Sequence, residues 1–225
     1  MKQIFFIVII FFLLGLNAAK AQQSYDSSFH FYYYDQKLSM FQAMKPAAKC
    51  IVFLGDSITD SCEWAELLSG KKVINRGISS DNTFGVINRM DEVIRHRPSK
   101  LFLMIGINDI SRNIPEEVIV KNISRIIAII QQQSPATKIY LQSILPTNEA
   151  FTNFPKHQNK QAQILSINIA LQKIANEKKL VFVNLFEVMK DTNGRLDKTC
   201  TNDGLHLNAE GYRRWKEFLL QNKYI

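Results

Sequence analysis

The 225-residue sequence has only three cysteines, Cys50, Cys62 and Cys200, and no C-x-x-C pair. A cysteine-based metal site or thioredoxin-like redox pair therefore has no support. There is no Walker loop, no dinucleotide glycine fingerprint and no His-Glu-x-x-His, so nothing calls for a nucleotide, metal or organic cofactor. Gly-x-Ser-x-Gly is also missing: Thr59 fills its last position around Ser57, which removes the α/β-hydrolase form of the serine nucleophile. Basic residues form no stripe interleaved with aromatics; Lys71-Lys72, Arg95 to Lys100, Lys178-Lys179 and Arg213-Arg214 are far apart. Nucleic acid is thereby excluded as a partner, while weak attraction to anionic surfaces or acidic glycans stays open. No repeat, low-complexity tract or Gly/Ser linker divides the chain. With 46% hydrophobic and 21% charged residues, that reads as one globular domain.

The one long apolar run, Ile4 to Leu16, is too short for the about 20 residues that span a bilayer. Lys2 precedes it and Ala19-Lys20-Ala21 follows, the pattern of a secretory signal with cleavage before Gln22. This leaves 22–225 as the domain, expected in the periplasm or medium with no stable membrane insertion. Removing Lys2 and Lys20 lowers the formal charge from +8 to +6.

Five apolar runs have strand character: Cys50 to Leu54, Lys72 to Asn75, Leu101 to Ile105, Lys138 to Ser143 and Leu180 to Asn184. They are continuous rather than alternating, as in parallel strands buried on both faces. Between them helical spacing covers Ser61 to Leu68, Thr83 to His96, Pro115 to Gln133 and Gln158 to Lys178, and Asn208 to Gln221 closes the chain. Alternating strands and helices predict an α/β/α three-layer sandwich around a five-stranded parallel sheet. Ligands in such sheets bind beyond the C-terminal strand ends. The aromatic segment 24–49 reads as a helical lead-in over the sheet edge, with a share in a substrate wall as its other possible role.

Chemistry-bearing residues cluster at those strand ends. Gly55-Asp56-Ser57 follows the first strand, Asn75-Arg76-Gly77 the second and Gly106-Ile107-Asn108 the third; Asp203-Gly204-Leu205-His206 precedes the last helix. Singly, each has a plain structural reading: a helix cap, a turn, a loop hydrogen-bonder, a satisfied histidine. In this order they resemble the SGNH (GDSL-type) hydrolase family over about residues 50–212, with isoleucine in place of the usual leucine after Ser57. The resemblance implies a flavodoxin-like fold and a serine esterase. Ser57 would be the nucleophile, His206 its base and Asp203 the triad acid. The Ser57 N–H, Gly77 N–H and Asn108 amide would hold the oxyanion. Asp56 and Asp109, beside the markers, are expected to shape turns.

The family's range leaves several substrates open. A short-chain, O-acetyl ester of a carbohydrate suits an exported enzyme without an evident apolar lid; lysophospholipid esters and thioesters are alternatives. An acyltransferase and a non-catalytic carbohydrate-binding protein are readings of other classes. Within the connection Leu145 to Lys160, Asn148, Phe151 and Phe154 are the candidate substrate contacts, with hydrophobic cover as the competing role. If Cys62 and Cys200 flank one site, a Cys62–Cys200 disulfide is conceivable.

Overall fold

The apolar runs do become strands of one sheet in the computed structural model, which describes residues 25–225. The expected export signal, 1–21, lies outside the described residues. β1 (Ile51–Gly55), β2 (Val73–Gly77), β3 (Lys100–Met104), β4 (Lys138–Gln142) and β5 (Val181–Val183) are all parallel, in the order β2-β1-β3-β4-β5. Every residue of β1 is buried, as its unbroken apolar sequence requires. Helices pack around the sheet, giving the α/β sandwich expected from the alternation.

Register builds the core. Phe53 pairs with Phe102, and Phe102 with Tyr140. Equivalent positions on neighbouring strands point to one face, so the rings form a stacked row with centroids 4.8 and 4.4 Å apart. Trp64 stacks on Phe53 at 3.7 Å, and Trp215 meets Trp64 edge-on at 4.9 Å. Such pairs add about 0.5–1.5 kcal/mol each beyond area burial. The helix Glu116–Gln133 starts after Pro115, carries Glu116 and Glu117 in its first turn, and buries Ile119, Ile123, Ile126, Ile127 and Ile130. Acids at the positive end and apolar residues three or four apart account for it.

Two expected helices are broken. Thr83 to His96 divides at Arg89 into Thr83–Asn88 and Met90–Ile94. The wholly buried Arg89 side chain there bonds Asp81, the Arg76 carbonyl and the Gly55 carbonyl. Ser61 to Leu68 is helical only over Trp64–Leu67, with a separate turn at Ser57–Asp60. The lead-in contains the helix Tyr32–Ala43, whose Phe41 ring lies 4.4 Å from the Arg76 guanidinium on edge strand β2.

All three cysteines are free, buried thiols, which corrects the Cys62–Cys200 pairing. Cys62 is fixed just past the Ser57–Asp60 turn by the Asn75 amide on its carbonyl. Cys200 closes a turn at Lys198–Cys200, with its carbonyl taken by Asn208 N–H. Each residue is held by its own turn, so flanking a common site does not bring the sulfurs together. Burial pushes the Cys62 thiol up to about 12.

Candidate active site

Strand ends converge at a cavity of about 330 Å³ lined by Ser57, Ser61, Ser79, Ser80, Asn108, Phe154, His157, Leu205 and His206. Ser57 opens the short helix after β1, whose N-terminus is capped by Asp56: its carboxyl oxygen Oδ1 accepts from the Ile58 N–H at 3.0 Å. Tyr212 of the last helix donates to the Ile58 carbonyl at 2.8 Å. The same stretch is held from below by Trp64 Nε1 and Asn75 Nδ2 on the Thr59 carbonyl. Ser57 therefore stands on a braced turn.

The Ser57 Oγ lies 2.9 Å from His206 Nε2, and His206 Nδ1 lies 2.8 Å from Asp203 Oδ2. The second carboxylate oxygen, Oδ1, accepts from the backbone N–H groups of Leu205 and His206 at 2.9 and 2.8 Å. Burial works to raise the Asp203 pKa, but these bonds and the imidazole outweigh it and hold the carboxyl below its ordinary range. An ionised Asp203 takes the Nδ1 hydrogen, leaving Nε2 to accept from the serine hydroxyl. Serine, imidazole and carboxylate thus line up in the order and spacing that general-base activation of a hydroxyl requires.

Asn108 sits in the helix Ile107–Ser111, which starts at Gly106 with φ +131°. An L side chain rarely adopts that angle, and a Cβ there would lie 2.8 Å from Ile144. Asn108 Nδ2 donates to the Asp81 carbonyl at 2.9 Å, and its Oδ1 lies 3.0 Å from His157 Nε2. That pairing fixes which end of the amide carries hydrogens and leaves one of them unengaged.

Gly77 is a correction. Its N–H donates to Asn75 Oδ1 at 2.8 Å, so it is not free for an oxyanion. The missing side chain serves packing: a Cβ would fall 2.2 Å from the Asp60 N. The cavity instead holds Ser80, three residues on, in the left-handed conformation with φ 66°. Neither its N–H nor that of Ser57 has an acceptor among the described residues. Asp60 steadies the preceding residue, accepting from Ser79 N–H and Oγ while paired with Lys37. The positive φ is what a sequence reading could have sought in the Ser79-Ser80-Asp81 turn, but serine gives no local sign of it.

The three candidate substrate contacts separate. Phe154 lines the cavity, its ring edge-on to His206 at 4.9 Å. Asn148 does not: it is wholly buried, donates to the Leu196 carbonyl at 2.7 Å and accepts from the Ala150 N–H. It closes the connection upon itself. Phe151 packs beside Gly204 and is not in the cavity wall, which makes it cover for the Asp203–His206 turn. His157, which lies within the same Leu145 to Lys160 connection, also lines the cavity. Burial above all, then the nearby His206, Arg112 and Lys156, push its pKa down to about 4, so it is neutral at ordinary pH. Asp56 and Asp109 shape turns as expected; Asp109 accepts from Thr83 N–H and Oγ1. Among the described residues no group of three His, Cys, Asp or Glu side chains could hold a metal ion.

Residues 53–214 match the GDSL-like Lipase/Acylhydrolase family. The platelet-activating factor acetylhydrolase IB subunit alpha2 of Rattus norvegicus is 28% identical over 173 residues, spanning 73% of this chain and 71% of the rat protein. A Streptococcus pneumonia structure named for platelet activating factor is similar with a TM-score of 0.74 and 29% identity, over 84% of this chain and 92% of that one. A GDSL-like lipase from Bacteroides thetaiotaomicron has the same TM-score at 25% identity, over 85% of this chain and 98% of its own.

Proposed function

The chain belongs to the GDSL-like lipase/acylhydrolase family and is a carboxylic ester hydrolase, and from that premise we propose that it removes short acyl groups, O-acetyl above all, from carbohydrates. The observation that carries the mechanism is the unbroken Ser57–His206–Asp203 chain at 2.9 and 2.8 Å. Ser57 Oγ attacks the ester carbonyl carbon as its proton passes to His206 Nε2. The carbonyl π electrons move onto oxygen, and the Ser57 N–H, the Ser80 N–H and the free Asn108 amide hydrogen receive that charge. Collapse breaks the bond to the sugar oxygen, which leaves with the proton from His206. Water, deprotonated by the same imidazole, then cleaves the acyl-serine to release the acid.

A short acyl group is favoured by the cavity wall, where Phe154 and Leu205 are the only apolar side chains among the described residues. Nothing in that lining offers a long chain an apolar path. The same reading takes residues 1–21 as an export signal, putting the enzyme in the periplasm or medium. The lipid reading keeps the support of names alone: the acetylhydrolase of the rat relative and the lipase of the Bacteroides structure.

The test compares p-nitrophenyl acetate, butyrate and octanoate with the protein and its Ser57→Ala variant. We expect acetate to be cleaved fastest and all turnover to vanish in the variant. A preference for octanoate would move the substrate to lipid esters, and equal rates for both proteins would remove Ser57 from the mechanism.

A further inference from the structure

A second cavity, of about 500 Å³, lies beside the first and is lined by Asp26, Arg112, Lys156, Gln158 and Lys160 with Ser111, Asn113 and Pro155. The two share their dividing wall. In the turn Pro155–His157 and its flanks, Phe154 and His157 face the serine side while Lys156 and Gln158 line the other. In the helix Ile107–Ser111, Asn108 lines the first cavity, and Ser111 and the following Arg112 at its C-cap, one turn on, line the second. Residues three and four apart on a helix are neighbours, roughly 5–6 Å between Cβ atoms. Arg112 also reaches the Ser80 carbonyl at 3.3 Å, tying this wall to the proposed oxyanion site.

The charge is one-sided. Three cations line the cavity against one carboxylate, Asp26, which accepts from Ser28 N–H at 2.9 Å. Arg112 donates to the Ser28 and Ser80 carbonyls, and Lys160 to Asn113 Oδ1 at 3.0 Å. Among the described residues, none of the three cations has a carboxylate within ion-pair distance. An independent sign comes from Gln158: it is 7% exposed, and neither end of its amide has a hydrogen-bond partner. Buried amides are normally satisfied. Cations beside a donor–acceptor amide suit an anion that also carries hydroxyls.

We propose that this cavity is an anion subsite of the esterase, taking the carboxylate of an acidic sugar whose acetyl ester lies at Ser57. The proposal rests on the deacetylase reading above and narrows its substrate to O-acetylated sugar acids. Among the described residues Pro155 is the only apolar lining residue, which speaks for a sugar rather than an acyl chain. Asn108 and Arg112, which line the two cavities one turn apart, stand roughly 5–6 Å apart at Cβ, a span that two substituents of one ring can bridge.

The experiment measures kcat/KM on acetylated galacturonate oligomers and on acetylated xylose oligomers, for the protein, Lys156→Gln, Lys160→Gln and the double variant. An exposed ion pair is worth up to a factor of about five, so the acidic-to-neutral ratio should fall roughly tenfold in the double variant. Raising salt should lower the same ratio in the unaltered protein. Cleavage of both esters with a ratio indifferent to the two lysines would overturn the subsite. If the unaltered protein cleaves neither ester, the deacetylase reading fails, and direct calorimetric titration decides the subsite by itself. Binding of sodium galacturonate over galactose, lost in the double variant, upholds it; no binding removes it. Tighter binding of inorganic phosphate than galacturonate would reassign the cavity to a phosphorylated ligand.

Discussion

Replacing His157 isolates an interaction that no neighbouring residue duplicates. Its Nε2–H meets Asn108 Oδ1 at 3.0 Å, while the Asp81 carbonyl takes one Asn108 amide hydrogen at 2.9 Å. His157→Ala removes the first restraint and keeps the second, so the amide stays in place but turns more freely. A net hydrogen bond is worth about 0.5–1.5 kcal/mol, which converts to a roughly 2- to 13-fold lower kcat on p-nitrophenyl acetate. The ceiling is set by losing the donor altogether, about 10² to 10³, the result expected for Asn108→Ala. Because the bond acts on charge that develops only in the transition state, KM should change little. The loss should be constant from pH 6 to 9: His157, held near 4, is neutral throughout, and its protonation at Nδ1 would leave the Nε2–H in place. His157→Gln, which brings its own N–H donor, should recover part of the rate. A double-mutant cycle gives the refutation. If His157→Ala slows the Asn108→Ala enzyme by the same factor as the unaltered one, His157 does not act through that amide.

Substitutions at Ser80, Asp56 and Arg89 test the structure further. Ser80→Gly retains the N–H and should keep activity while raising Tm by about 1–4 °C, because φ 66° costs an L residue roughly 1–2 kcal/mol, offset in part by the roughly 0.5–1 kcal/mol of chain entropy that glycine loses on folding; an esterase assay and a thermal melt check both. Asp56 is wholly buried and desolvation raises it to about 7, so the fold holds its proton where the unfolded chain has lost it. Its stabilising contribution is therefore present below about pH 4 and disappears as pH rises through 7. Asp56→Asn should consequently gain on the unaltered protein between pH 5 and pH 8 in urea unfolding, by up to about 1.4 kcal/mol for each pH unit, and a difference independent of pH would contradict this. Arg89→Met strips a wholly buried pair with Asp81 and bonds to the Arg76 and Gly55 carbonyls; the cost should be about 3–5 kcal/mol, or roughly 6–20 °C in Tm, with partial recovery in the Arg89→Met/Asp81→Asn double variant.

The sheet was legible because its signal is local. Ile51 to Leu54 and Leu101 to Met104 are apolar at every position, and such runs have few folded solutions other than strands covered on both faces. The Asp203–His206 pair was equally readable, since a three-residue spacing lets one short turn present both side chains, as the 2.8 Å contact records. The breaks at Arg89 and after Asp60 were hidden for the opposite reason. Helical spacing continues through both, and what interrupts them comes from elsewhere: Asp81 and the β1 end for Arg89, the Asn75 amide for the turn after Ser57.

Sequence by itself determined the fold class and the strand ends where chemistry gathers, because apolar runs carry those instructions within a few residues; Ser57, Asp203, His206 and Asn108 were legible as a set only through the ordered motifs that resemble the family. Tertiary structure decided which backbone N–H groups stay unengaged. Gly77 loses its own to Asn75 only in the folded β2 end, and Ser80 takes a left-handed turn that its side chain does not advertise. It also decided that Asn148 turns inward to Leu196 and that His157 meets Asn108 across 49 residues. A hydrogen bond is directional and exclusive, so a donor's availability depends on every acceptor the fold brings near. No window of sequence contains that list.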